Sequence, residues 1–341
     1  MSSIPNVLDR ARLGPPIAQK GLTIVPITLS GNGHRKLDYI PLDEGIASGK
    51  ARITEISESG SVPELVIRND ADVAVFILDG EELIGAKQNR IVNLSILVPA
   101  KTALPLPVTC VERGRWSYRT RHFDVSPYAM FSGGRAAQMS AVTMHLRSSG
   151  ARDGDQMRAW HDVSERAAAL GVCSPTQAMA DSYQARRAIL DDIVSGFKPL
   201  PDQAGGIFAV GGRVVGVELF ETAEVFGRYF AKVIRSYALD ALVQRMHRDF
   251  VATEAEALLA DLRRAESSRF KSVGLGEDVR ISQDDLVGGA LLLEDRVVHL
   301  AAFRKAVAEP TSSESEFFPE MSEAQKLAWW SRARNWWRNR S

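Results

Sequence analysis

The residues best suited to chemistry lie close together, between positions 88 and 116. Seven polar or aromatic side chains in that segment could contact a small molecule: Gln88, Asn89, Arg90, Asn93, Cys110, Glu112 and Trp116. A guanidinium pairs with phosphate or carboxylate groups, and convergent amides, carboxylates and aromatic rings are typical of small-molecule sites. The segment therefore predicts a site for a polar ligand that carries phosphate or ribose groups.

Each of these side chains has a candidate role and a plainer alternative. Glu112 is the candidate general base, or the general acid if burial raises its pKa. Cys110 is a candidate nucleophile, although a cysteine between apolar neighbours is more often a small core residue. Arg90 would hold an anion, or would only pair with a nearby glutamate. Gln88 and Asn89 would bind ligand hydroxyls, or would only satisfy backbone groups at a hairpin end.

The spacing also predicts which of these side chains meet. Alternate residues of a strand share a face, so Gln88 and Arg90 should point one way and Asn89 and Asn93 the other. By the same rule Cys110 and Glu112 should share a face. A ligand site and a scaffold both remain open, because polar groups this dense are costly to bury without partners.

Three carboxylates just before this segment are candidate metal ligands. Asp79, Glu81 and Glu82 could hold Mg²⁺, which prefers hard oxygen ligands. The sequence has no His-Glu-x-x-His and no Cys-x-x-Cys, so transition-metal motifs are absent from it. It also lacks a phosphate loop, a dinucleotide-binding fingerprint and a nucleophile elbow.

The same residues carry a resemblance to a known family. The run from Leu78 to Asn93 (LDGEELIGAKQNRIVN), then Val98-Pro99, the stretch 107–112 (PVTCVE) and Arg115-Trp116, resembles the ARPP-1 domain family. That name refers to a domain associated with ADP-ribosylglycohydrolase, rhodanese and phosphatase-superfamily proteins. The resemblance covers about residues 15–305. It implies work on ADP-ribose, NAD-derived or related phosphorylated metabolites, by association rather than by mechanism.

Composition limits the remaining classes. The 341 residues include 42 Lys plus Arg and 42 Asp plus Glu, so the net charge is zero, and 45% of the chain is hydrophobic. These values exclude a global polyanion binder and a wholly disordered chain. No apolar run reaches the ~18 residues that span a bilayer, and no secretory pattern follows Met1. We expect a cytoplasmic protein, with neither nucleic acid nor a membrane as partner.

The elements that position the site are predicted as an α+β fold. Residues 15–130 are β-rich, and residues 131–305 alternate helices with hairpins, in one unit of about 15–305. The Asp79-Gly80 pair predicts a hairpin turn. Capping boxes predict helix starts at Ser174 and at Thr253, the second helix reaching about Ser267, and a further helix should follow Thr222.

Two hairpins in the second half resemble each other. Residues 205–220 and 288–303 match at six of sixteen positions with an offset of 83. They are either a duplicated unit or two unrelated hairpins of similar composition.

The end of the chain has a different composition. Residues 306–321 form an acidic linker, and residues 322–341 predict a helix with four tryptophans and a net charge of +4. Trp and Arg dominate interface hot spots, so the tail could bind a protein partner or a second copy of the chain. A non-catalytic interaction module is therefore the alternative to a small-molecule site.

Overall fold

The computed structural model describes residues 3–30 and 37–305. The acidic linker and the Trp/Arg tail predicted for 306–341 lie outside the described residues. Among the described residues, no helix is long and apolar enough to cross a membrane. The described chain is mixed α+β, as predicted, and its first and second halves contribute strands to one large sheet.

Eighteen strands and eight helices follow one another along the described chain. The strands are β1 (Ala11–Leu13), β2 (Ile17–Gln19), β3 (Leu22–Leu29), β4 (Tyr39–Pro41), β5 (Ala51–Glu55), β6 (Glu64–Asn69), β7 (Ala74–Ile77), β8 (Glu81–Gly85), β9 (Arg90–Val92), β10 (Ile96–Val98), β11 (Thr102–Cys110), β12 (Phe123–Ala129), β13 (Gln203–Val210), β14 (Arg213–Phe220), β15 (Ser267–Lys271), β16 (Glu277–Gln283), β17 (Leu286–Leu293) and β18 (Arg296–Arg304). The helices are α1 (Ser3–Asp9), α2 (Leu42–Ala47), α3 (Ser132–Ser149), α4 (Gln156–Ala169), α5 (Met179–Ala185), α6 (Arg187–Ser195), α7 (Ala223–Ala241) and α8 (Ala252–Arg264).

A closed barrel carries the predicted site. Six strands pair around it in the order β11-β6-β5-β12-β8-β9. Alternate residues of these strands point inward and form one apolar cluster, which includes Ile53, Leu65, Ile67, Leu83, Val108 and Phe123. Closure leaves no free strand edge, and side chains fill a barrel of this size. The three-stranded sheet β10-β7-β4 lies beside the barrel and contributes to the same cluster.

The large sheet is packed on both faces. Its main path is β1-β3-β13-β14-β18-β17-β16-β15, with β2 paired to β3. Helices α3 and α7 pack on one face, where Phe208, Val233 and Tyr237 belong to the largest apolar cluster. Helices α1 and α8 pack on the other face through Leu8 and Leu258. Two-sided burial explains why β13 is buried along its whole length.

The two similar hairpins have the same internal register. Gly205 pairs with Leu219 in β13–β14, and Gly288 pairs with Ala302 in β17–β18, which are the equivalent positions at an offset of 83. Each ladder shifts register at the equivalent place, after Phe208 and after Leu291. A shared irregularity is a stronger sign of relatedness than shared apolar composition, so the register supports a duplicated unit.

The predicted hairpin at Asp79-Gly80 is wrong. Gly80 does adopt a positive φ of 74° in a tight turn. The strands before and after it do not pair, because β7 joins the three-stranded sheet and β8 joins the barrel. The turn therefore passes the chain from one sheet to another.

The helix starts are partly as predicted. Thr222 caps α7, and its hydroxyl accepts the Val225 amide at 3.2 Å. The predicted start at Ser174 is wrong, since α5 begins at Met179 and the residues before it bridge to Glu112. The start at Thr253 is also wrong by one residue, and α8 ends at Arg264 because Ser267 pairs with β16.

A buried charge network joins the barrel, α3 and the large sheet. Arg135 on α3 contacts Asp79 at 3.0 Å and Glu218 at 2.5 Å. His299 on β18 contacts Glu218 through Nε2 at 3.1 Å and Ser95 through Nδ1 at 2.9 Å. Burial alone would raise the pKa of Asp79, but the charges of Arg135 and His299 outweigh it and lower that pKa. The carboxylate therefore stays ionised against its guanidinium partner.

We expect Gly80→Ala to destabilise the protein more than Gly150→Ala. Both glycines have a φ near +75°, which costs a non-glycine residue about 1–2 kcal/mol. A Cβ at Gly80 would also lie 2.8 Å from Cγ of Arg135, whereas one at Gly150 meets nothing within 4 Å. Because two carboxylates hold Arg135 in place, the extra cost should be about 1–3 kcal/mol.

Urea unfolding of the two variants measures this difference directly. Equal free energies of unfolding would show that Arg135 can move aside, and that the network does not constrain the turn.

Candidate functional site

The register of the barrel strands directs Arg90 and Cys110 into one end of the barrel. Arg90 lies opposite Leu83 on β8 and opposite Cys110 on β11. Residues directly opposite each other in an antiparallel pair share a face, and Leu83 belongs to the barrel core. Glu55 points inward for the same reason, since it lies opposite Leu65. We call this end the barrel mouth, formed by Glu55, Lys87, Gln88, Arg90, Cys110 and Trp116.

Arg90 is only partly satisfied there. Its Nη1 donates to Oε1 of Gln88 at 2.8 Å, and the Cys110 thiol donates to the same oxygen at 3.2 Å. Nε and Nη2 of Arg90, and Oε2 of Glu55, are buried and have no hydrogen-bond partner within 3–30 and 37–305. Burial lowers the pKa of Arg90, with Cys110 and Glu55 opposing the shift. The barrel mouth thus holds two unpaired donors and one unpaired acceptor.

Aromatic rings cover this group. The guanidinium carbon of Arg90 lies 5.6 Å from the ring centroid of Trp116. Lys87 Nζ lies between the rings of Trp116 and Tyr118, at 5.3 and 5.1 Å from their centroids. These are cation–π distances. Trp116 is 47% exposed and Tyr118 is 46% exposed, so two aromatic faces remain available at the rim.

Cys110 has the environment of a core residue. The thiol is fully buried, and burial raises its pKa despite the opposing charge of Arg90. Since the thiolate is the nucleophilic form, this arrangement favours a thiol that donates a hydrogen bond to Gln88 over a nucleophile.

Glu112 belongs to a second cluster, outside the barrel, which we call the Glu112 anchor: Asn89, Glu112, Arg115 and Thr176. Arg115 donates to both carboxylate oxygens, at 2.9 and 2.6 Å. The Thr176 hydroxyl also donates to this carboxylate, at 2.8 Å, and the backbone N–H of Asn89 donates to it at 3.0 Å. Burial would raise the pKa of Glu112, but these hydrogen bonds outweigh it and lower that pKa. Four donors occupy the acceptor sites of a carboxylate, so an anchoring role fits this geometry better than a general base.

The predicted alternation holds for one set of residues and fails for another. Gln88 and Arg90 share the barrel mouth with Cys110, as the period of two predicts. Glu112 does not share a face with Cys110, because β11 ends at Cys110 and the chain turns beyond it. Asn93 is separate from both clusters, since it accepts from Thr109 and donates to the Arg152 carbonyl.

The three candidate Mg²⁺ ligands have different surroundings. Asp79 pairs with Arg135, and Glu81 pairs with Lys232 on α7. Glu82 is fully buried, and neither of its oxygens has a hydrogen-bond partner in the described chain. Burial raises the pKa of Glu82 to about 7, the charge of Glu112 adds to the shift, and Ser126 and Asn89 oppose it. No group of three His, Cys, Asp or Glu side chains placed to hold a metal ion occurs among the described residues.

Four contributors to these clusters were not selected from the sequence: Glu55, Lys87, Arg115 and Thr176. Lys87 and Arg115 lie within the quoted motif, but no role was predicted for either. Thr176 lies 64 residues from Glu112, and its segment has the pattern of a helix cap. The sequence indicated only that a buried Glu112 carboxylate would need hydrogen-bond donors. It did not indicate that Thr176 is one of them.

The fold thus combines two parts. One is a six-stranded barrel whose mouth carries the motif, and the other is a large sheet that is packed on both faces. Residues 10–303 match the model of the ARPP-1 family, described as the ARG and Rhodanese-Phosphatase-superfamily-associated Protein domain. The chain belongs to this family. Comparison with curated proteins and with solved structures finds no match.

We expect Glu112→Gln to destabilise the protein at pH 7 by about 3–5 kcal/mol, because it leaves the buried Arg115 guanidinium without its counter-ion. The pKa of Glu112 is lowered from 4.5. Its stabilisation is therefore present above pH 4.5 and lost as the pH falls through the lower folded pKa.

The difference between wild type and Glu112→Gln should thus shrink below about pH 4. Urea unfolding at pH 7 and pH 3.5 measures it, with Glu165→Gln on the surface of α4 as the matched control. A difference that is the same at both pH values would contradict the ionised anchor.

Glu82→Gln should have the opposite pH dependence. The folded pKa of Glu82 is about 7 and its ordinary value is 4.5. Protonation therefore stabilises the folded state fully below pH 4.5, and this contribution is lost as the pH rises through 7. Glutamine imitates the protonated carboxyl, so the variant should match wild type at about pH 4 and exceed it at about pH 8, by up to about 3 kcal/mol. Identical pH profiles of unfolding would show that Glu82 has an ordinary pKa.

Proposed function

We propose that this protein binds a phosphorylated small metabolite, of the ADP-ribose or nucleotide type, at the barrel mouth. The observation that carries the proposal is the buried guanidinium of Arg90, whose Nε and Nη2 have no partner within the described residues. An unpaired buried donor costs about 1–3 kcal/mol, and more when it is charged. A phosphate or carboxylate oxygen would satisfy both atoms, because the guanidinium fork matches such groups.

The rim of the barrel mouth suits the rest of such a ligand. Trp116 and Tyr118 offer exposed rings for a flat heterocycle, and stacking on aromatic rings is a general mode of base recognition. Arg119 and Arg121 stand on the same loop, with side chains 61% and 92% exposed. Arg121 pairs with Glu58 at 3.9 Å, whereas Arg119 approaches Glu112, which Arg115 already compensates, so Arg119 adds positive charge. Glu55 supplies a buried acceptor for a hydroxyl.

Access requires a local rearrangement. Arg90 is fully buried, and the Trp116 ring stands over it. A ligand that reaches the guanidinium must therefore displace Trp116, which lies on an irregular loop between β11 and β12. Loop rearrangements of this kind are found in a substantial minority of complexes. The indole would report on it, because its fluorescence depends on its surroundings.

The ADP-ribose part of the proposal has a separate basis. The family takes its name from an association with ARG and rhodanese–phosphatase proteins. Association of this kind narrows the ligand class but does not define a reaction. The proposal therefore concerns binding, and the residues that carry it are Arg90, Trp116 and Glu55.

We expect ADP-ribose, NAD, AMP or ribose 5-phosphate to raise the melting temperature and change Trp116 fluorescence. Arg90→Gln and Trp116→Ala should weaken the affinity at least about tenfold, which corresponds to about 1.4 kcal/mol. Arg166→Gln on α4 and Met144→Ala on α3 are the matched controls, since they remove a partly buried guanidinium and an exposed apolar side chain elsewhere.

Isothermal titration calorimetry gives the affinities. The proposal fails if no ligand of the panel binds wild type, or if Arg90→Gln remains folded and binds as tightly as Arg166→Gln.

A further inference from the structure

Glu82 is the carboxylate of the motif that forms no ion pair within the described part of the chain. Asp79 is held by Arg135, Glu81 by Lys232 and Glu112 by its anchor. Both oxygens of Glu82 are buried and lack a hydrogen-bond partner within 3–30 and 37–305. A buried polar group without a partner is destabilising, so its position needs another explanation.

A cavity lies beside β8, the strand that carries Glu82. It has a volume of about 380 Å³ and lies between β8 and β12 of the barrel and helices α5, α6 and α7; its polar lining includes Ser126, Asp181, Gln184, Arg187, Asp191 and Arg235. In the pairing of β8 with β12, Leu83 lies opposite Val125 and Glu81 lies opposite Ala129, with a bulge between these two pairs. Glu82 therefore lies opposite the bulge that contains Ser126, which lines the cavity. We call this cavity the Glu82 pocket.

The opposite side of the Glu82 pocket is positively charged. Arg235 donates to Oδ1 of Asp191 at 2.8 Å, and Arg187 donates to Oδ2 at 3.4 Å. Two guanidinium groups thus share one carboxylate, which leaves one positive charge uncompensated within this trio. The trio is accessible, because the side chains of Arg187 and Asp191 are 65% and 42% exposed.

The two sides differ in what they can bind. The barrel side presents the Ser126 hydroxyl, with the apolar surfaces of Ile84, Pro127 and Tyr128 beside it, and α5 adds the acceptor Asp181. The side formed by α6 and α7 presents an excess of guanidinium. A ligand that fits both has hydroxyl donors and C–H groups at one end and one anionic group at the other.

We propose that the Glu82 pocket binds a small sugar phosphate, with its phosphate at Arg187 and Arg235 and its hydroxyls toward Asp181 and Ser126. Ser126 relays a hydrogen bond from a ligand hydroxyl to Glu82, which is therefore a positioning residue. This site is separate from the barrel mouth and does not depend on the function proposed there.

The test uses ribose 5-phosphate and inorganic phosphate with the full-length protein. Arg235→Gln should weaken the binding of both probes about tenfold. Arg228→Gln, two turns earlier on α7 and paired with Glu44 and Glu224 instead, should change neither affinity. Glu82→Leu should weaken ribose 5-phosphate about tenfold and leave phosphate unchanged, a split that a general loss of structure would not produce.

Hydrogen–deuterium exchange locates the binding. Ribose 5-phosphate should protect residues 179–195, which form α5 and α6, in wild type and in Trp116→Ala alike. Protection confined to 111–122 would place the ligand at the barrel mouth and overturn this proposal while supporting the earlier one. Absence of binding, equal affinities of Arg235→Gln and Arg228→Gln, or a loss of phosphate binding in Glu82→Leu would each overturn it as well.

Discussion

The fold depends on the placement of one buried guanidinium. The side chain of Arg135 is fully buried and stays positively charged. Because an unpaired buried charge is strongly destabilising, carboxylates have to lie beside it. Asp79 reaches it from the link between the small sheet and the barrel, and Glu218 reaches it from the centre of the large sheet. Removing either carboxylate would leave a buried charge with incomplete compensation. The barrel and the large sheet are therefore fixed to each other through α3.

This constraint gives a physical reason for the first residues of the motif. Asp79 provides the negative charge that pairs with Arg135. Gly80 has no Cβ, which leaves room for the Arg135 side chain. The next part of the motif uses the period of two in a β-strand. Gln88 and Arg90 serve the barrel mouth, while the side chain of Asn89, between them, accepts a hydrogen bond from Arg115 in the Glu112 anchor outside the barrel. One short stretch thus builds two polar clusters on opposite sides of the barrel wall.

The sequence predicted those parts of the site that depend on local geometry. The meeting of Gln88, Arg90 and Cys110 follows from strand alternation and from the pairing of two apolar runs. The position of Glu112 does not follow, because it depends on where β11 ends. Thr176 could not be found from local pattern, since its segment has helix-cap composition but is held against the residues after β11 by a bridge to Glu112. The prediction of a hairpin at Asp79-Gly80 was wrong for a related reason. The Asp-Gly pair indicates that the chain turns, but the whole fold decides with which strands β7 and β8 pair.

The two similar hairpins meet at the centre of the large sheet, where β14 pairs with β18. At that seam Glu218 lies directly opposite Ala301, and an offset of 83 makes Ala301 the counterpart of Glu218 itself. The local twofold axis therefore runs through this pair. Identical halves would set two carboxylates face to face, which is unfavourable for residues directly opposite in a sheet. The acid that binds Arg135 is therefore present in one hairpin, as Glu218, and is replaced by Ala301 in the other. The pair on the axis is the place where the two hairpins have to differ.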